Sequence, residues 1–188
     1  AHEQLQEISF NHATITKEGL QALSRCPMQR LCLYRCRGFD DEALASFLAE
    51  TKDLEYLNAR GTSIGLESLR ALAKHHRLQE LEISECQHLD DKAVTEIAKL
   101  PLKKLHMVGS NVSSHHIGIL VGDTPLARNL ERLNLSSNDG VTDTGAECIL
   151  SYCLNLKDLD VGNTGVEHPE RYWPSRRRHL RLGCLLPF

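Results

Sequence analysis

The sequence predicts an α/β solenoid in the shape of a horseshoe, with about seven repeats, parallel strands on the concave face and helices on the convex face. Three observations predict it: a short apolar phrase that recurs along the chain, a polar or small residue after each phrase, and a helical apolar pattern between phrases. The clearest phrase, at 130–135, reads Leu-x-x-Leu-x-Leu. Its seven occurrences begin 23, 26, 24, 24, 28 and 26 residues apart, and self-similarity at such a period indicates stacked repeats.

Each phrase is expected to form one short strand whose apolar residues point inward, while the residues between them stand on the opposite face. The inward residues are Leu5/Ile8/Phe10, Met28/Leu31/Leu33, Leu54/Leu57/Ala59, Leu78/Leu81/Ile83, Leu102/Leu105/Met107, Leu130/Leu133/Leu135 and Leu156/Leu159/Val161. One strand and one helix per unit at this period is the signature of a leucine-rich repeat. Stacked units share one core and fold as a single elongated body.

A turn follows each strand, three positions after its last apolar residue. The turn residues are Ala13, Cys36, Thr62, Cys86, Ser110, Asn138 and Thr164. Asn at this place buries an amide that satisfies backbone groups of neighbouring turns, and Cys, Ser or Thr can do part of that work. We therefore expect this column of side chains to be buried.

The helices are predicted from their start signals and from apolar residues at i, i+3 and i+4. The expected N-cap residues are Thr16, Asp40, Asp90, Ser113 and Thr142, with Gly65 as a weak exception. The stretch 122–129 in the fifth unit is predicted to be a surface loop. Residues 1–166 form the predicted repeat domain. For the tail 167–188 three alternatives stay open: a cap with Trp173 over the last repeat, a disordered end, or a non-native end.

Composition excludes several classes of protein. Hydrophobic residues at 41% and charged residues at 25% are ordinary for a soluble protein, and no stretch is apolar enough for a membrane span. The net charge of −3, with the arginines concentrated in the tail, leaves a mildly acidic body that is unsuited to nucleic acid. The chain opens without Met and directly in a repeat, so we expect a piece of a longer protein or a chain processed upstream.

The seven cysteines are odd in number and form no Cys-x-x-Cys pair. Several occupy equivalent repeat positions, which indicates buried thiols in a reducing compartment. The expected location is therefore the cytoplasm. A nuclear alternative rests on the basic run at 176–179, which is a weak import signal.

Three fragments carry a family resemblance: Leu31–Leu44, Leu81–Val94 and Val141–Ala146. Their pattern, Leu-x-x-Leu-x-Leu-x-x-Cys-x-x-Leu-x-Asp-x-Ala/Gly, resembles the cysteine-containing subclass of leucine-rich repeats over about residues 5 to 166. That subclass is typical of F-box/leucine-rich repeat proteins and related receptors of the antagonist-of-mitotic-exit type. The resemblance implies a substrate-recognition arm of a ubiquitin ligase, with an F-box upstream of the repeats. The alternative is a scaffold or assembly protein unrelated to ubiquitin, of the ribonuclease-inhibitor-like type.

The outward strand residues are the candidate binding site for a protein partner, and the resemblance implies that this partner is a ubiquitination substrate. Tyr and Arg are enriched at interface hot spots, and bands of alternating charge suit a patterned protein surface. The predicted protein-binding residues are Arg30, Tyr34, Tyr56, Asn58, Arg60, Glu80, Glu82, His106, Arg132 and Asp160. The alternative interpretation is an ordinary solvated face whose charges pair across neighbouring strands.

No catalytic, cofactor or metal site is predicted. The sequence shows no Ser-His-Asp grouping, paired catalytic carboxylates or phosphate loop, so we expect a binding protein, not an enzyme. His75-His76 and His115-His116 lack a ligating Cys or carboxylate at a fixed spacing. A cationic side chain is favoured at a helix C-terminus, which would account for the first pair. We expect a monomer or a member of a hetero-complex, without nucleic acid or membrane.

Overall fold

One parallel sheet, backed by a layer of helices, organises the chain. The computed structural model describes residues 4–168, 171 and 181–183. Among them the strands are β1 (Glu7–Asn11), β2 (Arg30–Tyr34), β3 (Tyr56–Asn58), β4 (Glu80–Glu82), β5 (Lys104–His106), β6 (Arg132–Asn134), β7 (Asp158–Asp160) and β8 (Arg181–Gly183). The helices are α1 (Lys17–Leu23), α2 (Asp41–Glu50), α3 (Leu66–Leu72), α4 (Asp91–Ala98), α5 (Ser114–Val121), α6 (Pro125–Asn129) and α7 (Asp143–Tyr152). The strands follow chain order, all parallel, so the predicted α/β horseshoe is confirmed.

The core lies between the sheet and the helices. From the second phrase onwards, the middle leucine of a phrase pairs in register with that of the next strand, as in Leu31 with Leu57 and Leu57 with Leu81. These leucines are fully buried, and so are helix residues such as Phe47 and Leu72. The two periodicities read from the sequence therefore meet in one continuous apolar layer.

The turns after strands β1 to β7 share one backbone feature. The residue that precedes the turn column has a positive φ in every case: His12, Arg35, Gly61, Glu85, Gly109, Ser137 and Asn163. Only two of them are glycines, although this region is costly for other residues. The side chain that follows is buried in five of these turns, as predicted, and half-buried at Ala13 and Thr164. Asn138 shows what such a buried side chain contributes.

Asn138 satisfies the backbone of two turns, as predicted. Its Oδ1 accepts hydrogen bonds from the backbone N–H groups of Ser110 (3.0 Å) and Val112 (2.9 Å). Its Nδ2 donates to the carbonyls of Met107, Leu135 and Ser136. The side chain is 1% exposed, so a buried amide here joins the fifth repeat to the sixth.

The helix starts are capped partly as predicted. The side chains of Thr16, Asp40 and Asp90 accept hydrogen bonds from the backbone in the first turn of their own helices. Thr142 stands at the N-cap of α7 but its side chain makes no capping bond. The reason is local, because its hydroxyl lies against the Ser114 and Thr144 hydroxyls instead.

Gly65 has no side chain to cap α3, and the preceding repeat supplies the cap. The Asp41 carboxylate accepts hydrogen bonds from the N–H groups of Gly65, Glu67 and Ser68 at 2.9 to 3.1 Å. A negative charge is also favourable at the positive end of the helix dipole. The side-chain cap that Gly65 cannot provide is therefore supplied by Asp41, 24 residues earlier in the chain.

The prediction of a surface loop at 122–129 is wrong, because this stretch contains helix α6. Thr124 caps it by accepting a hydrogen bond from the Ala127 N–H (3.1 Å), and Pro125 occupies the first turn. Leu126 and Ala127 are buried. The longer fifth unit thus adds a helical turn to the convex layer, since its apolar residues cover core that a loop would leave open.

The segment after Val166 continues two features of the repeats. The Asp143 carboxylate accepts hydrogen bonds from the N–H groups of Glu167 and His168, as Asp41 does before α3. Strand β8 then pairs in parallel with β7. An eighth strand therefore lies in the region predicted to be a non-repeat tail. The boundary at 166 stays a prediction, and Trp173 and the basic run lie outside the described residues.

Candidate functional site

The outward residues of the strands form aligned rows across the concave face. The first row contains Glu7, Arg30, Tyr56, Glu80, Lys104, Arg132, Asp158 and Arg181, each the register partner of the next. The second contains Ser9, Cys32, Asn58, Glu82, His106, Asn134, Asp160 and Gly183 in the same order. The ten predicted site residues therefore share one face, with Tyr34 and Arg60 just beyond their strands' second-row residues.

Arg30 and Tyr56 form the first contact among the predicted residues. The guanidinium carbon of Arg30 lies 4.4 Å from the centre of the Tyr56 ring, a cation–π geometry. The Arg30 Nε is also 3.6 Å from the Glu7 carboxylate. Partial burial raises the pKa of Tyr56, so its hydroxyl stays protonated. The pair presents an aromatic ring and a cation side by side.

The second contact is a cluster of four side chains, Tyr34, Arg35, Arg60 and Glu85, which we name the Glu85 cluster. One carboxylate oxygen of Glu85 accepts from Arg35 Nε (3.0 Å) and Nη2 (2.6 Å), and the other accepts from Arg60 Nε (3.2 Å) and Nη2 (2.6 Å). Both guanidinium carbons lie 5.5 Å from the Tyr34 ring centre. One anion is thus held between two cations beside an aromatic ring.

Gly61 makes this arrangement possible. Arg35 and Glu85 hold the same position in the second and fourth repeats, and Gly61 holds it in the third, with a φ of +66°. A Cβ on Gly61 would stand 2.8 Å from the Arg35 Cγ, closer than carbon atoms pack. The bare backbone of the third repeat therefore lets Arg35 cross over to Glu85.

The electrostatics of the cluster follow from these bonds. Hydrogen bonds from Arg60 and then Arg35 lower the pKa of Glu85, so it is ionised at neutral pH. The hydrogen bonds to Glu85 raise the pKa of each arginine. The side chains of Arg35, Arg60 and Glu85 are 45%, 36% and 32% exposed. The ion pairs are partly screened, and their charges remain accessible from the concave side.

Arg35 and Glu85 were not among the predicted site residues. Both lie in the turns and not between the strand leucines, so the strand register does not identify them. A signal was present in the repeat alignment: the third and fifth repeats have Gly61 and Gly109 where the second and fourth have charged residues. Large charged side chains at a position that suits glycine are costly, and their presence indicates a role for the side chain.

Three predicted residues use their side chains to bond the backbone of the turn that follows them. The side chains of Asn58, Glu82 and Asp160 each accept a hydrogen bond from the N–H two residues further on, at 2.9 to 3.0 Å. Asn134 does the same for Ser136. These bonds stabilise the exit from the strand, so part of the hydrogen-bonding capacity of each side chain serves the fold. Their role as partner contacts stays a prediction.

Glu80 and Arg132 each form an ion pair with a residue on the neighbouring strand. Lys104 lies 2.8 Å from the Glu80 carboxylate, and Arg132 Nε lies 2.9 Å from that of Asp158. Partly exposed pairs of this kind contribute little to stability. His106, the remaining predicted residue, borders an open depression with Arg132, Asp160 and Arg181. These pairs fit the alternative interpretation, in which the concave face is an ordinary solvated surface whose charges pair between neighbouring strands.

The buried thiols and histidines behave as parts of the core. The Cys36 and Cys86 thiols donate to the carbonyls of Phe10 and Ala59, and burial raises the pKa of Cys86 to about 11. Neutral thiols of this kind are poor nucleophiles. His75 is 1% exposed, its Nε2 lies 2.8 Å from the Leu48 carbonyl oxygen, and burial lowers its pKa. The interpretation of His75 as a cation at a helix end is therefore wrong.

The second histidine pair has a different environment. His115 and His116 place their Nε2 atoms 3.2 and 3.3 Å from the Asp91 carboxylate, and the His116 Nδ1 accepts from the Ser113 N–H. Across the described residues, 4–168 with 171 and 181–183, no group of three or more His, Cys, Asp or Glu side chains is arranged to hold a metal ion. No helix in that part of the chain is long and apolar enough to cross a membrane.

Comparisons with known proteins agree with this geometry. A family model described as Leucine Rich repeat matches residues 127–150. Across 138 residues, 70% of this chain, the sequence is 28% identical to F-box/LRR-repeat protein 4 of Bos taurus. The chain is a leucine-rich repeat solenoid. Its predicted resemblance to F-box/leucine-rich repeat proteins is confirmed, and it spans about a fifth of the length of that relative, 22%.

Solved leucine-rich repeat structures share the fold at low sequence identity. Internalin C2 of Listeria monocytogenes has a TM-score of 0.59 at 19% identity, with 95% of this chain and 80% of that chain covered. The mouse RP105/MD-1 complex contains a chain with a TM-score of 0.57 at 18% identity, covering 94% of this chain and 34% of the other. The ectodomain of the Arabidopsis thaliana receptor kinase GASSHO1/SCHENGEN3, in complex with CASPARIAN STRIP INTEGRITY FACTOR 2, has 0.53 at 16%, covering 86% and 22%.

Proposed function

We propose that this solenoid is a protein-recognition module that holds its partner on the concave face. The observation that carries the proposal is the grouping of Arg30, Tyr34, Tyr56 and Arg60 on and just beyond the neighbouring strands β2 and β3, with a guanidinium group over each tyrosine ring. Tyr and Arg anchors of this kind supply most of the energy of protein interfaces. Two of the structurally similar proteins are described in complex with partners, MD-1 and CASPARIAN STRIP INTEGRITY FACTOR 2.

The more specific proposal is that the partner is a substrate of a ubiquitin ligase. The similarity to F-box/LRR-repeat protein 4 supports it, since that name joins an F-box to this type of repeat. In such a receptor the repeats hold the target while the F-box module recruits the ligase. The chain itself would act without catalysis or a cofactor, and the free cysteines of the described residues, three of them buried, suit a cytoplasmic location.

Binding would require little rearrangement. The concave residues stand on strands and turns whose backbone is fixed by the sheet and by side chains such as Asn58 and Asn138. The ion pairs and cation–π contacts hold the exposed side chains before a partner arrives. Pre-organised side chains lose less conformational entropy on binding, which favours affinity.

Capture of partners from cell extract on the immobilised chain tests the proposal. We would compare the wild type with the Arg30→Glu/Tyr56→Ala variant and, separately, with Tyr34→Ala/Arg60→Glu. A matched control, Arg70→Glu/Tyr152→Ala, removes the same residue types from the convex helices, where Tyr152 is 50% exposed. Circular dichroism would show that each variant folds.

We expect a protein that the wild type and the convex control retain, and that the concave variants lose. Retention of the same protein by both concave variants would contradict the concave-face proposal. For the ubiquitin role, the captured protein should become more stable in cells when the full-length gene product is deleted, as measured by a cycloheximide chase. An unchanged half-life would favour a scaffold unrelated to ubiquitin.

A further inference from the structure

An open depression lies beside the Glu85 cluster at the end of the strands. Its lining includes two arginines and consists of His12, Ala13, Thr14, Arg35, Arg37, Gly61 and Glu85. The His12 ring packs edge-on against Tyr34 at 5.0 Å, which connects the depression to the aromatic side of the cluster. His12 and Arg37 are exposed. The depression and the cluster therefore form one accessible surface.

Cations exceed anions on this surface. Arg35, Arg37 and Arg60 are opposed by Glu85, and Glu82 acts on Arg60 from the neighbouring strand row. The Glu82 carboxylate also accepts a hydrogen bond from the Ser84 N–H (3.0 Å), so part of it is occupied by the backbone. Two carboxylates thus face three arginines. The rest of the concave ion pairs are matched one to one, as in Lys104 with Glu80 and Arg132 with Asp158.

The two clustered arginines also have unused donors. Each guanidinium carries five N–H groups in a planar fork. Glu85 receives the Nε and one Nη donor of each arginine, which leaves three donors on each for another acceptor. The Tyr34 ring beside both guanidinium groups restricts their orientation. The geometry offers a second anion a pre-arranged set of donors.

We propose that this surface binds a carboxylate of the partner, supplied by an Asp or Glu side chain. A planar carboxylate matches the guanidinium fork and can take two parallel hydrogen bonds from it. Arg35 and Arg60 would contact the incoming group, with Arg37 adding charge from the depression. This inference rests on the proposed function, because it names the chemistry of the partner on the same face.

Titration of the full chain with short peptides, followed by NMR, tests the inference. The probes are three capped pentapeptides with alanine at every position except the centre, which is Asp, Asn or phosphoserine. The readout is the Nε–Hε resonance of Arg35 and of Arg60, assigned with the Arg35→Lys and Arg60→Lys variants. Arg70→Gln on the convex face is the matched control, because Arg70 also pairs with a glutamate, Glu67.

The Asp peptide is expected to shift both arginine resonances in a saturable way and to bind about fivefold or more tightly than the Asn peptide. Arg35→Gln and Arg60→Gln should each remove most of that preference, while Arg70→Gln should leave it intact. Two-dimensional spectra of the variants show that they remain folded. Addition of salt should weaken the binding of the Asp peptide, since exposed charges are screened.

Three results would overturn the inference. Equal shifts with the Asn peptide would mean that charge is not recognised. Binding of the phosphoserine peptide without binding of the Asp peptide would assign the site to phosphate. Absence of shifts with all peptides would mean that the surface binds no anion. If in that case the Arg30→Glu/Tyr56→Ala variant still loses its captured partner, only this inference fails, because that pair lies outside the Glu85 cluster.

Discussion

The two halves of the concave face use their polar side chains differently. In the N-terminal half, strands β1–β4 with their turns, Arg35 and Arg60 converge on Glu85 from different repeats and keep donors exposed. In the C-terminal half, strands β5–β8 with their turns, Asn138 bonds the backbone of adjacent turns and Arg132 pairs with its strand neighbour. The N-terminal half therefore leaves charged groups exposed on the concave side, whereas the C-terminal half uses its polar groups within the solenoid. We therefore expect mutations in the C-terminal half to lower stability more, and mutations in the N-terminal half to weaken binding more.

The largest effect on stability is expected for Asn138→Ala in the C-terminal half. Five hydrogen bonds are lost and buried backbone groups are left without partners, which costs about 3 kcal/mol of unfolding free energy. The matched change in the N-terminal half is Cys36→Ala, expected to cost about 1 kcal/mol because a small, weakly bonded side chain is removed. Urea unfolding measures both. Equal costs would remove this distinction between the halves.

The next effect is expected for Gly61→Ala. An alanine at a φ of +66° costs about 1–2 kcal/mol, and its Cβ also displaces Arg35 from its path to Glu85. Gly109→Ala is the control in the C-terminal half, since Gly109 has a φ of +58° and its Cβ would meet nothing closer than 3.9 Å. Urea unfolding should show a larger loss for Gly61→Ala, and only this variant should lose the Asp-peptide response of Arg35.

Low pH is expected to lower the free energy of unfolding through His75, which is buried behind the N-terminal half of the concave face. The Nδ1 of His75 has no hydrogen-bond partner among the described residues, in contrast to the satisfied amide of Asn138. Burial lowers the pKa of His75 below its ordinary value of 6.5, so the unfolded chain binds a proton more readily than the folded one. Stability should therefore be full above about pH 6.5 and fall as the pH decreases towards the lowered folded pKa.

The variants His75→Gln and His76→Gln test this expectation by urea unfolding between pH 7.5 and 5. His75→Gln should flatten the dependence on pH, whereas His76→Gln should preserve it because His76 is exposed. If the two variants showed the same slope, His75 would not be the group that titrates.

The smallest effect on stability is expected for Glu85→Gln, because its ion pairs are partly exposed. The pKa of Glu85 is lowered below its ordinary value of 4.5, so its contribution is present above about pH 4.5 and is lost as the pH falls through the folded pKa. The urea midpoint at pH 7 should fall less than for Gly61→Ala. Asp158→Asn, which breaks the pair with Arg132, is the matched change in the C-terminal half.

The NMR resonances of Arg35 and Arg60 distinguish Glu85→Gln from Asp158→Asn more clearly than the urea midpoint does. The Arg35 and Arg60 Nε–Hε resonances should lose their hydrogen-bonded shifts in Glu85→Gln and keep them in Asp158→Asn. Retained shifts in Glu85→Gln would mean that the carboxylate does not organise the arginines.

Much of the candidate site could be predicted from the sequence, because strand register decides which face a side chain occupies. Arg30, Tyr34, Tyr56 and Arg60 were placed together by counting from the leucines, and the structure brings them into two contacts. Glu85 could not be found in this way. It pairs with Arg35 from 50 residues away, and no periodic pattern specifies which turn side chains meet.

The sequence by itself determined the repeat period, the strands, the inward leucines and the buried amide of Asn138, because these depend on a local apolar pattern that every unit repeats. Only the tertiary structure decided the helix α6, the strand β8, the neutral state of His75 and the cluster at Glu85. These features depend on the distance between units and on the space that Gly61 leaves open. Packing between repeats sets both quantities, and the pattern within one repeat does not contain them.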